Sequence, residues 1–170
     1  DPTAPVNAYG ASKLAGEQAV RAAGGPAVIL RTAWVFSAHG KNFVRTMLRL
    51  GAERDRLRVV DDQRGSPTAA ADVADALLTM AAALVEGRGA PGIFHFAGAP
   101  AASWADFAEA IFAARCGAAP AIERIPSSAY PTPAARPANS VLDCARIAAT
   151  YGIPQPDWRP RLREVIGELT

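Results

Sequence analysis

Cysteine, histidine and lysine are all scarce in this sequence, and each shortage excludes something. The two cysteines, Cys116 and Cys144, form no C-x-x-C, and His39 and His95 carry no metal-ligand spacing. Zinc-site and thiol-redox motifs are therefore absent, no metal is expected, and the thiols read as buried or idle side chains of a reducing compartment. Lysine occurs only at Lys13 and Lys41; arginine supplies the other cations, and the formal net charge is +2, spread along the chain. That excludes the basic stripe of a nucleic-acid-binding domain. No apolar run approaches the ~20 residues of a membrane-spanning helix, and no basic-then-apolar leader opens the chain. The expectation is a cytoplasmic protein with neither nucleic acid nor a membrane as partner.

What is present is the balance of a globular domain with a real core: 170 residues, 50% apolar and 20% charged. After the Pro-rich lead-in "DPTAPVN", residues 9–23 read as a helix closed by Gly24, Gly25 and Pro26. "AVILRTAWVF" (27–36) is a continuous apolar run, the pattern of a strand buried on both faces of a parallel sheet. An amphipathic helix (41–55) and a short strand (56–60) lead into the loop "DDQRGSPT". A helix from Asp72 to Val85, a strand (92–98) and a helix capped by Ser103 follow. "AIERIP" reads as a strand, "SSAYPTPAARPANS" as irregular, and two short helices near 143–151 and 160–169 finish the chain. Strands alternating with helices make the class α/β.

"GRGAPG" (87–92) matches the dinucleotide fingerprint G-x-G-x-x-G letter for letter. The fingerprint works only between a strand and a helix, whose N-terminus receives the pyrophosphate. Here a helix precedes and a strand follows, so this is a surface turn.

Tyr9 and Lys13 stand four residues apart, on one face of the first helix. A lone tyrosine holds its proton until about pH 10. A fixed cation beside a phenol favours the phenolate, so such a pair can serve as general acid and electrostatic helper. An exposed helical pair without a role gives the same spacing. Trp34 is either core, as aromatics at strand ends commonly are, or a ligand contact. Arg136, in a Pro-rich loop, is either a surface arginine or a phosphate ligand. Asn42, Gln63 and Thr68 lie in loops after strands, where α/β sites gather, and would at most shape a pocket. His95 alternates with apolar neighbours and reads as structural.

Five segments, "PVNAYGASKLAGEQ", "ILRTAWVFSAHGKNFVRTMLRL", "LRVVDDQRGSPTAAADVA", "GIFHFAGAPAASWADFAEAIF" and "RPANSVLD", cover most of the chain. In this order and spacing the sequence resembles the extended short-chain dehydrogenase/reductases, and among them the dTDP-4-dehydrorhamnose reductases. The resemblance implies a partial Rossmann-like parallel sheet with a small mixed α/β substrate-binding subdomain. Residues 1–62 would carry the remainder of the dinucleotide-binding domain and 63–170 mainly the substrate-binding portion, interleaved with it. It implies Tyr9 as proton donor to the C4 oxygen of a dTDP-linked 4-keto-6-deoxysugar. Lys13 would assist and bind the ribose of NADPH or NADH, Trp34 would touch the sugar, and Arg136 would meet the nucleotide sugar's diphosphate.

The Gly-rich loop and the catalytic Ser/Thr of that family precede its tyrosine, and neither is in these residues. The chain by itself is therefore expected to be incomplete and inactive, with an exposed apolar strand edge that favours a homodimer. A non-catalytic regulatory subunit and a related nucleotide-sugar epimerase or dehydratase are the alternative readings.

Overall fold

The computed structural model describes residues 2–170, and four of the six α-helices described start at a capping side chain. The first helix, α1 (Ala8–Ala22), begins where the Asn7 side chain accepts the Gly10 amide, and it ends before Gly24 and Gly25, both at positive φ. β1 (Val28–Arg31) and β2 (Val35–Phe36) follow. α2 (Phe43–Glu53) starts at Asn42, whose side chain accepts from the Arg45 amide. Next come β3 (Arg56–Val60), β4 (Arg64–Gly65) and β5 (Thr68–Ala69), then α3 (Ala70–Val85) and β6 (Gly92–His95). β7 (Ala102–Ser103) leads into α4 (Trp104–Ala114), where Ser103 and Asp106 form a reciprocal capping box. β8 (Ala121–Ile125), a 3-10 turn (Ser127–Ala129), α5 (Ala145–Tyr151) and α6 (Trp158–Leu169) complete the order.

The strands join in pairs: β1 with β6, β2 with β5 and β3 with β8 run parallel, and β4 with β7 antiparallel. Parallel pairs bridged by helices confirm the α/β class. Two expectations need correction. The apolar run 27–36 is not one strand: it breaks after Arg31, and Trp34 turns the chain at φ 48 into β2, which pairs elsewhere. Nor is β1 buried on both faces; all four of its residues are half-buried, with β6 its only strand neighbour among the described residues.

Two cores result. One gathers Phe36, Val44, Met47, Leu57, Val59, Phe107, Ile111, Trp158 and Leu162 from β2, α2, β3, α4 and α6. The other gathers Ala76, Met80, Phe94, Phe96, Ile147 and Ile153 between α3, β6 and α5, with Val28 and Leu30 of β1 against it. Such burial contributes roughly 25 cal/mol per Å² of apolar surface removed from water. α1 contributes no buried residue to either core.

Candidate functional site

Because α1 has no fully buried residue, tertiary polar contacts help to position it. Glu17 receives a two-pronged bond from Arg31 at the end of β1, Nε to Oε1 at 2.7 Å and Nη2 to Oε2 at 2.5 Å. That bond holds the Glu17 carboxyl below the usual carboxylate range, against the opposing effect of burial. One and two helical turns back along the same face stand Lys13 and Tyr9, with the Lys13 ammonium 5.4 Å from the Tyr9 ring centroid. Tyr9 is 71% exposed. Among the described residues, neither its hydroxyl nor the Lys13 ammonium has a hydrogen-bond or ion-pair partner. A phenol and an ammonium side by side, both open, make a donor set suited to a ribose and a carbonyl oxygen.

Trp34 is held from three directions. Its indole stacks on Trp104 with centroids 3.5 Å apart and planes 8° from parallel, and its Nε1–H donates to Ser140 Oγ at 3.1 Å. A Cβ on Gly65 would fall 2.6 Å from Trp34 Cζ2 and closer still to Cε2 and Nε1. Trp104 leaves no room for a carbon on its own side, so Gly65 covers the opposite face. Trp104 covers one face of Trp34, and Gly65 lies against the other over its Nε1–Cε2–Cζ2 corner. The aromatic column continues from Trp104 to Phe43, at 4.6 Å, and from Phe43 to Phe107 in the core, at 5.5 Å.

Gln63 orients that column. It accepts from Trp104 Nε1 at 3.2 Å and donates to Ser127 Oγ at 2.9 Å. The rest of "DDQ" is occupied as well. Asp61 accepts from Ser103 Oγ at 2.6 Å and from Arg124, and Asp62 takes both the amide and hydroxyl of Ser127. Those bonds from Ser127 lower the Asp62 pKa, and Glu109 and Asp106 raise that of Arg124. The loop thus ties the end of β3 to the start of α4.

Arg136 is exposed and lies in a segment pinned at two points. On one side, Ala138 accepts from the Arg64 amide and Ser140 donates to the Arg64 carbonyl, each at 2.8 Å. On the other, Asn7 Nδ2 donates to the Ala135 carbonyl at 2.8 Å. The structure therefore brings the start of the Tyr9 helix to the segment carrying Arg136, and joins that segment to Trp34 through Ser140. Asn42 is spent on capping α2 and bracing Ser37 and His39. Thr68 is buried, donating to the Ser66 carbonyl and accepting from the Gly98 amide. His95 faces Arg31 in the β1–β6 register, and "GRGAPG" is the turn between α3 and β6.

Sequence reasoning passed over Asn7, Gly65, Trp104 and Ser140. A glycine between the site motif "DDQR" and the Ser-Pro, and a tryptophan directly after a helix cap, were the available signals. A cavity of about 420 Å³ lies elsewhere, lined by Arg21, Ile29, Ile93 and Arg146 among others, and includes none of Tyr9, Lys13, Trp34 or Arg136. The chemistry of the open side chains, rather than cavity size, marks the candidate site.

The family model of the RmlD substrate binding domain matches residues 1–170. The chain belongs to that family. A dTDP-4-dehydrorhamnose reductase of Burkholderia thailandensis is 52% identical over an alignment of 170 positions that covers 94% of this chain and 57% of that protein. Among solved structures, a dTDP-4-dehydrorhamnose reductase of Clostridium acetobutylicum superposes with TM-score 0.90 at 37% identity, over 99% of this chain and 58% of that one. The enzyme of that name from Bacillus anthracis, solved in complex with NADP, gives TM-score 0.89 at 33% identity, over 100% of this chain and 58% of its own. This RmlD-family chain thus spans somewhat more than half the length of these relatives. No described helix is long and apolar enough to cross a membrane.

Proposed function

We propose that this RmlD-family chain is the proton-donating and substrate-binding part of an NAD(P)H-dependent reductase. The reaction would convert the 4-keto group of dTDP-4-dehydro-6-deoxy-L-mannose to the alcohol of dTDP-L-rhamnose. The observation that carries the reading is the open Tyr9–Lys13 pair on a helix whose cap also holds the Arg136 segment. The kinship with proteins named for this reaction supports it.

In this reading Tyr9 gives its phenol proton to the C4 oxygen as negative charge develops there, and regains a proton from solvent. The Lys13 ammonium stabilises the phenolate left behind and meets the ribose hydroxyls of the cofactor. A bound nicotinamide supplies the hydride. Arg136 pairs with the diphosphate, and Trp34 offers the sugar the part of its indole that Trp104 and Gly65 leave open. Residues 1–62 and 63–170 remain the proposed cofactor-side and substrate-side portions, interleaved through the two cores. Hydride transfer requires cofactor and carbonyl in near-attack geometry, and Tyr9 and Lys13 alone hold little of the cofactor, so the chain by itself is proposed to be inactive. Self-association through the open edge of β1 belongs to the same proposal, and light scattering that returns a monomer at high concentration refutes it.

The test is Tyr9→Phe in the longer protein that carries this chain, assayed for dTDP-sugar-dependent NADPH oxidation. A fall in kcat of roughly 10²–10⁴-fold with KM little changed is expected for loss of a general acid. A variant that retains parental kcat refutes the assignment.

A further inference from the structure

One amide ties the start of α1 to a residue 128 positions further along the chain. Asn7 Oδ1 accepts the Gly10 amide at 2.8 Å and starts α1. Its Nδ2 donates to the Ala135 carbonyl at 2.8 Å, next to Arg136. The far end of the same segment is braced by Arg64 and, through Ser140, by the Trp34 indole. Asn7 alone among the described residues hydrogen-bonds α1's end to this stretch; α1 has no fully buried side chain, and its Glu17–Arg31 pair ties it to β1 rather than to the strap.

We propose that Asn7 is a positioning residue that clasps the helix bearing Tyr9 to the strap bearing Arg136. It thereby sets the proton donor and the phosphate-binding guanidinium at a fixed separation. The inference rests on the roles just given to Tyr9 and Arg136. The division of labour within the amide is what makes it specific. The acceptor half is generic, because serine or aspartate caps a helix as well as asparagine does. The donor half is not: an aspartate carboxylate has no N–H, and a serine hydroxyl is too short to replace Nδ2 while capping. A residue needed only to start α1 would tolerate either substitution.

The experiment titrates dTDP into the 170-residue chain by calorimetry, for the parent and for Asn7→Ser, Asn7→Asp, Arg136→Ala and the Asn7→Ser/Arg136→Ala double variant. Hydrogen exchange is followed over residues 131–140 in each. The clasp predicts that both Asn7 variants keep the helix content of α1 by circular dichroism yet lose exchange protection in the strap. They should bind dTDP roughly fivefold more weakly, the loss expected for one hydrogen bond. Asn7→Ser should add nothing once Arg136 is alanine, because both changes act through one guanidinium. Unchanged protection together with unchanged affinity overturns the clasp, as does a full additive loss in the double variant. Should the parent or Arg136→Ala show that Arg136 plays no part in dTDP binding, the phosphate role falls. The clasp is then decided by exchange alone, standing if the strap loses protection in both Asn7 variants and falling if it does not.

Discussion

Replacing Gly65 with alanine tests the account of Trp34 most directly. The backbone at Gly65 is outside the positive-φ region, so an alanine is conformationally acceptable there and only space opposes it. The new Cβ would lie 2.6 Å from Trp34 Cζ2 and closer to two further indole atoms. Carbon atoms rest at about 3.5–4.0 Å, so the two groups must part by about 1 Å or more. Trp34 cannot retreat, because Trp104 lies 3.5 Å behind it and Phe43 stands behind Trp104. Either Trp34 swings out and abandons Ser140, or β4 shifts and strains its pairing with Ala102 and with the strap. Overpacking costs typically ~1–3 kcal/mol and a lost hydrogen bond about 1 kcal/mol more, which together give about 3 kcal/mol. At roughly 2–4 °C per kcal/mol for a chain of this size, Tm falls by roughly 6–12 °C. Thermal unfolding followed by near-ultraviolet circular dichroism, which reads the stacked indoles, is the assay. In a Trp34→Ala background the same glycine substitution should cost almost nothing. A Gly65→Ala variant that melts with the parent would show that Gly65 does not pack against the Trp34 indole.

Glu17→Gln should destabilise the chain by about 1 kcal/mol at neutral pH, the upper range for a two-pronged surface pair. Because the folded-state pKa of Glu17 is depressed, its contribution is complete above its ordinary value of 4.5 and disappears as pH falls through the lower folded value. The stability gap between parent and variant should therefore close in acid, and a gap that persists at pH 2–3 would count against the pairing. Ser103→Ala removes the α4 cap and one partner of Asp61, for a loss of about 1–2 kcal/mol. Denaturant midpoints check this, with a red shift of Trp104 emission if the start of the helix frays. Iodoacetamide should alkylate Cys116, which is exposed, and spare Cys144, which is buried and whose thiol burial pushes up. Mass spectrometry of the native protein distinguishes the two, and equal labelling would contradict the packing of α5.

The α/β class, the start of α4 at Ser103 and the false glycine motif were legible in the sequence because each depends on neighbours along the chain. Ser103 caps α4 through a residue three positions on, and "GRGAPG" is a turn because a helix precedes it and a strand follows. Tyr9 and Lys13 share a face for the same local reason, the pitch of one helix. The tertiary structure decided the rest. The run 27–36 looked like one strand because its apolar pattern is unbroken. Which strand each half pairs with depends on β6 and β5, and Trp34 takes a positive φ where the two pairings meet. Trp34 could be read as a ligand contact or as core, and only Gly65 and Trp104, brought to it by other elements, show what packs against its two faces. The amide of Asn7 has the same dual character. That it starts a helix follows from the residues beside it. That it also holds Ala135 comes from long-range folding, which no local pattern encodes.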